Sequence, residues 1–305
     1  MKPTLSHILN FGAGALLTLF LVVQFGFRED RREAAKEKVK TEAKWAPPAL
    51  PQQMAFAGEA VPLDRWDVQE RFDRELLFNY YSPANVLFLK KLSNRYFPLI
   101  SERLKANGVP DDFKYLCVAE SNLLSGATSR SGAKGFWQFM DGTAPGYGLT
   151  SNAQVDERSD IIKSTDAASK YLKNAYAKFG SWTAAAASYN CGMGGYNGQA
   201  TFQQTTNYYD LLLPEETNRY IFRILTFKHL MENSEELGFN LEEGDLYKEI
   251  PYREVTVNSS IANLAQFAID NGTTFKILRS MNPWLKGRAL TVTGGKTYTL
   301  RLPQK

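Results

Sequence analysis

From about residue 65 to residue 247 the chain shows no sustained period-2 alternation. Its apolar residues recur instead at steps of three and four, between turns marked by Gly, Asn and Pro. That periodicity restricts the stretch to helices, and about 180 residues are enough to bury a core of their own. The spacing predicts a helix over 83–95 and a second that opens at Pro98 and closes at Asn107-Gly108, with Pro at its start and Gly past its end. A third begins near Pro110-Asp111-Asp112, where the acidic pair suits the positive end of the helix dipole. Ser164 fits the N-cap of a helix whose Ala168, Tyr171, Leu172, Ala175, Tyr176 and Phe179 share a side before Gly180 stops it. The Ala-rich run 182–190 predicts a short, closely packed helix ended by Gly192. Pro214 with Glu215 and Glu216 opens another, carrying Tyr220, Ile221, Ile224 and Leu225.

The flanks differ. Residues 8–27 are apolar and free of charge, and about 20 such residues match the hydrocarbon thickness of a bilayer. Residues 1–27 therefore read as a membrane anchor, or alternatively an export signal, with no convincing small-x-small cleavage site near the end. Arg28, Arg31, Arg32, Lys36 and Lys38 follow, and a strict positive-inside count would keep that side cytoplasmic. Residues 28–64 alternate charge and then turn Pro- and Ala-rich, the composition of a linker. After residue 248 the pattern changes again. Residues 254–257 and 298–302 alternate as strands, with short helices over 261–269 and 274–281 between them. Residues 249–305 thus form a small β-α-α-β module, marginal for a separate core and expected to lean on the helical domain of residues 65–248. The fold class is mainly α.

Histidine supply excludes several chemistries. There are only two, His7 and His229, and His7 lies in the N-terminal segment. Ser-His-Asp hydrolysis, a His-rich zinc site and an HExxH peptidase lack residues to work with, and His229 reads as an ordinary helix residue. Cys117 and Cys191 read as free thiols unless the fold brings them together. A net charge of +4 falls short of the dense basic patch of a nucleic-acid binder, so no nucleic acid is expected as partner. Chemistry is left to carboxylates, hydroxyls and amides. In the third helix Phe113, Leu116, Cys117 and Glu120 stand at i, i+3, i+4 and i+7, so a carboxylate ends an inward apolar face. Desolvation and the negative end of the helix both raise its pKa, as a general acid near neutral pH requires. On spacing alone, a glutamate that merely caps the helix or forms a salt bridge fits as well.

The residues that follow carry more. After Glu120-Ser121 comes Gly135-Phe136-Trp137-Gln138-Phe139-Met140, then Ser188-Tyr189-Asn190 and Glu216-Thr217-Asn218-Arg219-Tyr220. In order and spacing these motifs, spread over about residues 85–240, resemble the lytic transglycosylases of the Slt family, in particular the membrane-bound murein transglycosylase D type. The resemblance implies a lysozyme-like, all-helical domain of the goose-type/Slt kind, no cofactor and no metal. Its substrate would be the glycan strands of peptidoglycan. Glu120 would be the sole catalytic acid and then base, cleaving the β-1,4 bond between N-acetylmuramic acid and N-acetylglucosamine with closure of a 1,6-anhydro ring. A second carboxylate is unnecessary where the substrate supplies the nucleophile. By the same resemblance Gln138, Tyr189, Asn190 and Tyr220 would bind or steady the substrate around Glu120, and Ser121 would orient the adjacent backbone. Trp137 is either core or a sugar platform. Phe136, Asp141 and Cys191 depart from the commoner Leu, Pro and Ala, and none of the three removes a catalytic group.

The C-terminal module resembles a degenerate LysM domain in Ile261-Ala262-Asn263-Leu264-Ala265, Asn271-Gly272, Met281-Asn282-Pro283-Trp284 and Leu300-Arg301-Leu302-Pro303. That likeness implies either glycan binding or a packing role. Because peptidoglycan lies outside the cytoplasm, residues from 28 onward are expected in the periplasm, against the local charge count, with the N-terminal segment in the inner membrane. No protein partner follows from the sequence. A goose-lysozyme-like hydrolase and a non-catalytic wall-binding scaffold are the competing readings.

Overall fold

Sequence features at the N-terminal edge of the helical domain do more than link. In the computed structural model, which describes residues 46–304, β1 (Ala55–Phe56) and β2 (Glu59–Ala60) form a small antiparallel hairpin. Phe56 and Val61 are buried, and the Phe56 ring meets Phe113 edge-on at 5.2 Å. The end of the segment expected to be a linker through residue 64 therefore belongs to the helical body, because its two apolar side chains find a core to enter. The expected anchor and residues 28–45 of the expected linker lie outside the described residues. Among the described residues, no helix is long and apolar enough to cross a membrane.

Six helices build the body: α1 (Trp66–Tyr80), α2 (Pro83–Ala106), α3 (Phe113–Ser121), α4 (Ile161–Phe179), α5 (Trp182–Gln203) and α6 (Glu215–Glu232). The break expected between residues 95 and 98 does not occur. Pro98 sits inside α2, on an exposed side, while Leu92, Ile100 and Leu104 on the buried side continue one stripe. Burial of those side chains offsets the roughly 3 kcal/mol that an internal proline costs. The cap of α4 is Asp160, not Ser164: Asp160 Oδ1 accepts the N–H groups of Ile162 and Lys163 at 2.9 Å each, and Ser164 turns its hydroxyl back to the Asp160 carbonyl. The Ala-rich helix continues past Gly192 as α5, with a kink there (φ 76°, ψ 147°) that a residue with a Cβ rarely adopts. Pro214 opens α6 as its pattern predicts.

α3 and α6 pack against each other at the centre, with α1 and α5 also resting on α6 and α4 against α2 and α5. Phe113, Leu116, Cys117, Ile221, Ile224 and Leu225 are fully buried in that core. A long irregular stretch with two short 3-10 turns joins α3 to α4.

The C-terminal module has the expected β-α-α-β order: β3 (Tyr252–Val257), α7 (Leu264–Asp270), α8 (Phe275–Met281) and β4 (Tyr298–Pro303), with β3 and β4 antiparallel. Its core gathers Leu264, Leu278, Leu285, Leu290, Leu300 and Leu302. Val155, from the irregular stretch of the helical body, completes it. The module leans on its neighbour as its size requires.

Candidate active site

α3 brings the candidate acid to its C-terminal end. Glu120 occupies its last turn, partly buried, and Asn122 then leaves the helix in the left-handed region (φ 51°), followed by the buried Leu123 (φ 60°). Asparagine tolerates that conformation and leucine does not, so the backbone just beyond Glu120 is held against its preference. Burial pushes the Glu120 carboxyl up to about 7; the Tyr220 hydroxyl and the Arg223 cation work against the rise, and Glu216 adds to it. Tyr220, buried on α6, donates its hydroxyl directly to Glu120 Oε1. The carboxyl thus keeps a substantial protonated fraction near neutral pH, and a donor stands ready to stabilise the carboxylate once the proton leaves.

Tyr189 stands nearby at the middle of α5. Its phenol is pushed well above the ordinary range by burial and by the Glu120 charge, and donates to the Trp137 carbonyl at 2.8 Å. Its ring packs among Trp137, Phe139 and Tyr171. Asn190, the next residue, spans to the start of α6: its Oδ1 accepts from Thr217 Oγ1 at 2.8 Å, and its amide nitrogen lies 3.5 Å from Glu216 Oε1. Gln138 has a positive φ of 49° and spends its amide nitrogen on the carbonyls of Gly135 (2.8 Å) and Ala127 (3.1 Å). It fastens its own loop rather than reaching Glu120. Ser121 is buried and donates to the Cys117 carbonyl at 3.2 Å, inside the helix. Trp137 is fully buried, with its indole N–H on Thr165 Oγ1 at 2.9 Å, so it is core and not a sugar platform.

Glu120, Tyr189 and Tyr220 therefore converge, Asn190 latches α5 to α6 beside them, and Gln138 and Ser121 act on local backbone. Two charged neighbours of Glu120 also lie on α6: Glu216, exposed, which opens the motif that ends in Tyr220, and Arg223, which no motif marks, partly exposed and 3.9 Å from the buried Glu75 carboxylate. Their positions relative to Tyr220, four before and three after, put all three on one face of α6, a signal present in the sequence. Cys117 and Cys191 are both free, the first buried and the second only partly so. His229 is buried within α6 with Nδ1 against the Asn233 amide at 3.1 Å, a structural place away from Glu120's partners. Among the described residues no group of His, Cys, Asp and Glu side chains is arranged to hold a metal ion.

Residues 98–211 match the family described as the transglycosylase SLT domain, and residues 253–305 match the soluble lytic transglycosylase C-terminal LysM-like domain. The chain is also 28% identical over 204 residues to membrane-bound lytic murein transglycosylase D of Escherichia coli K12, and equally to the protein of that name from Escherichia coli O6:H1. Each alignment covers 65% of this chain and 44% of the relative, so the chain matches less than half the length of either.

Proposed function

Since the chain carries a transglycosylase SLT domain followed by a LysM-like domain, we propose that it is a lytic transglycosylase that cleaves the glycan strands of peptidoglycan. The observation that carries this reading is the pairing of a proton-holding Glu120 with the Tyr220 hydroxyl at the end of α3. Glu120 donates its proton to the oxygen of the β-1,4 bond between N-acetylmuramic acid and N-acetylglucosamine, and that bond breaks. The muramic acetamido carbonyl bonds to C1 as the leaving sugar departs with the proton. The Glu120 carboxylate, accepting from Tyr220, then takes the proton of the C6 hydroxyl while O6 displaces the acetamido oxygen at C1. A 1,6-anhydro ring results, no water is consumed, and Glu120 is again protonated for the next turn. Tyr189 and Asn190 would steady the acetamido group.

Hydrolysis by a goose-lysozyme-like route is the second reading, favoured by one observation: the Glu216 carboxylate is exposed to solvent and close enough to Glu120 to raise its pKa. Mass spectrometry of products from purified peptidoglycan separates the two. Anhydromuramoyl products, lighter by one water than reducing-end products, are expected, and Glu120→Gln should lower their yield by at least about 10³-fold. Exclusively reducing-end products would transfer the chain to the hydrolase reading. Residues 8–27 would hold the enzyme at the inner membrane with the catalytic body in the periplasm, which cell fractionation and protease protection of spheroplasts test directly.

A further inference from the structure

Between the helical body and the C-terminal module the chain turns back on itself through bends at 152–154, with Ser151 bridged antiparallel to Asp156, and the two bridge residues that follow the turn, Val155 and Asp156, point their side chains to opposite sides. Val155 goes one way, into the module's apolar core. Its neighbours fasten it there: the Gln154 carbonyl accepts from Lys286 N at 2.7 Å, the Gln154 side chain accepts from Thr291 N at 2.8 Å, and Asp156 N donates to the Trp284 carbonyl at 2.7 Å. Lys286 Nζ adds a bond to the Asn152 carbonyl, also 2.7 Å.

Asp156 goes the other way. Its buried carboxylate receives the Arg158 fork at 2.8 and 2.9 Å and Lys134 Nζ at 3.2 Å. Desolvation acts to raise its pKa, and these cations overcome that effect and hold it below the ordinary aspartate range. Arg158 Nη1 then donates to the carbonyls of Gly132 (3.2 Å) and Phe139 (3.3 Å), the two ends of the loop that carries Trp137 and Gln138. That loop lies so close that a Cβ on Gly135 would stand 1.8 Å from the Arg158 carbonyl. The loop in turn gives the Trp137 carbonyl to the Tyr189 phenol. A contiguous set of backbone and ionic contacts thus leads from the module to the side chains around Glu120.

The module's own aromatic pair is committed to the same junction. Trp284 and Tyr298 stack at 5.5 Å and are nearly inaccessible, with Lys163 of α4 6.0 and 5.7 Å from their ring centres.

We propose that the C-terminal module serves as a brace for the catalytic loop, with Asp156 and Arg158 as positioning residues whose geometry depends on the docked module. The proposal rests on the catalytic reading above. A module that only tethers the enzyme to the wall would matter for insoluble substrate alone, whereas a brace matters for every substrate, including one too short to reach the module.

The test is steady-state kinetics of full-length variants on a soluble muropeptide tetrasaccharide and on insoluble sacculi. Arg158→Ala should lower kcat on the tetrasaccharide by about 10- to 100-fold with KM within about twofold, the signature of a displaced catalytic constellation. Arg158→Lys keeps the charge against Asp156 but loses the fork to its carboxylate and the Nη1 bonds to the Gly132 and Phe139 carbonyls, and should fall between Arg158→Ala and the parent. Gln154→Ala with Lys286→Ala removes only surface docking contacts and leaves both cores intact. It should expose Trp284 to acrylamide quenching and reduce turnover of both substrates by the same factor. If this double variant exposes Trp284 yet turns over the tetrasaccharide like the parent, the brace is overturned and the module is a tether. The brace is likewise overturned if Arg158→Ala, folded by near-ultraviolet circular dichroism, keeps its kcat. A parent enzyme inactive on both substrates would instead overturn the catalytic reading, a separate and recognisable failure.

Discussion

Four influences of differing sign set the Glu120 carboxyl. Burial raises its pKa most; Tyr220 and Arg223 lower it and Glu216 raises it, leaving a value of about 7. If the protonated form starts the reaction, kcat/KM should decline tenfold per pH unit above about 7. The neighbours move that limb in opposite directions. Arg223→Gln removes a cation that favours the carboxylate, so the limb should shift to higher pH, and Glu216→Gln removes a repelling charge, so it should shift to lower pH. Parallel pH profiles of the two variants check this, and shifts of the same sign would show that neither charge acts on Glu120 as described. Tyr220→Phe should shift the limb upward like Arg223→Gln, and should also slow turnover by about 10- to 100-fold, because the carboxylate formed on proton transfer loses its one short donor.

Helix ends decide where these side chains stand. The start of α5 is capped from outside by Glu59 of the β1–β2 hairpin: Oε1 accepts from Trp182 N at 2.6 Å, and Oε2 from Thr183 N at 2.9 Å and from the hydroxyls of Ser181 and Thr183 at 2.8 and 2.7 Å. Burial acts to raise the Glu59 pKa, but these donors outweigh it and leave it lowered. A carboxyl lowered in the folded state stabilises the fold above its unfolded pKa, and that contribution is lost as pH falls through the folded value. Glu59→Ala should therefore cost about 1–2 kcal/mol near neutral pH, with the gap from the parent narrowing as the pH falls below the ordinary glutamate range, as measured by urea denaturation across pH. At its middle α5 bends at Gly192, directly after the Tyr189-Asn190-Cys191 run, which lets Asn190 reach α6 while the rest of the helix turns away. The interruption at Gly192 was legible from the residue type. That the helix resumes to Gln203 was not, because Tyr196 and Ala200, which anchor the second half in the core, sit among glycines that obscure the period.

Between the helical body and the module, covalent order and packing disagree about where one ends. Val155 is distant in sequence from every other member of the module's core, and Asp156 beside it is tied both to Trp284 and to Arg158. Neither part completes its polar and apolar contacts alone. Residues 48–304 should accordingly unfold in one thermal transition by calorimetry, with the ratio of van't Hoff to calorimetric enthalpy near one. Two resolved transitions would mean that the junction adds little cooperativity. The docking also changes what the module presents to solvent, since the stacked Trp284 and Tyr298 lie under Lys163 rather than facing a glycan.

Periodicity and helix-end chemistry are local, and the local properties of this chain already contain the helical class, the β-α-α-β order of the module and the inward face that ends in Glu120. Motif order adds Tyr189, Asn190 and Tyr220 as companions. What no local pattern contains is which distant groups satisfy a buried or strained one. Pro98 stays within a helix because the opposite face is buried; Gln138 turns to its own loop because its φ is positive and two carbonyls lie in reach; Glu59, from a segment that reads as linker, caps a helix more than 120 residues away. Each outcome depends on desolvation and on hydrogen-bond partners brought together only by the packed fold, and those nonlocal terms also decided that the C-terminal module and the loop carrying Trp137 and Gln138 meet at Asp156 and Arg158.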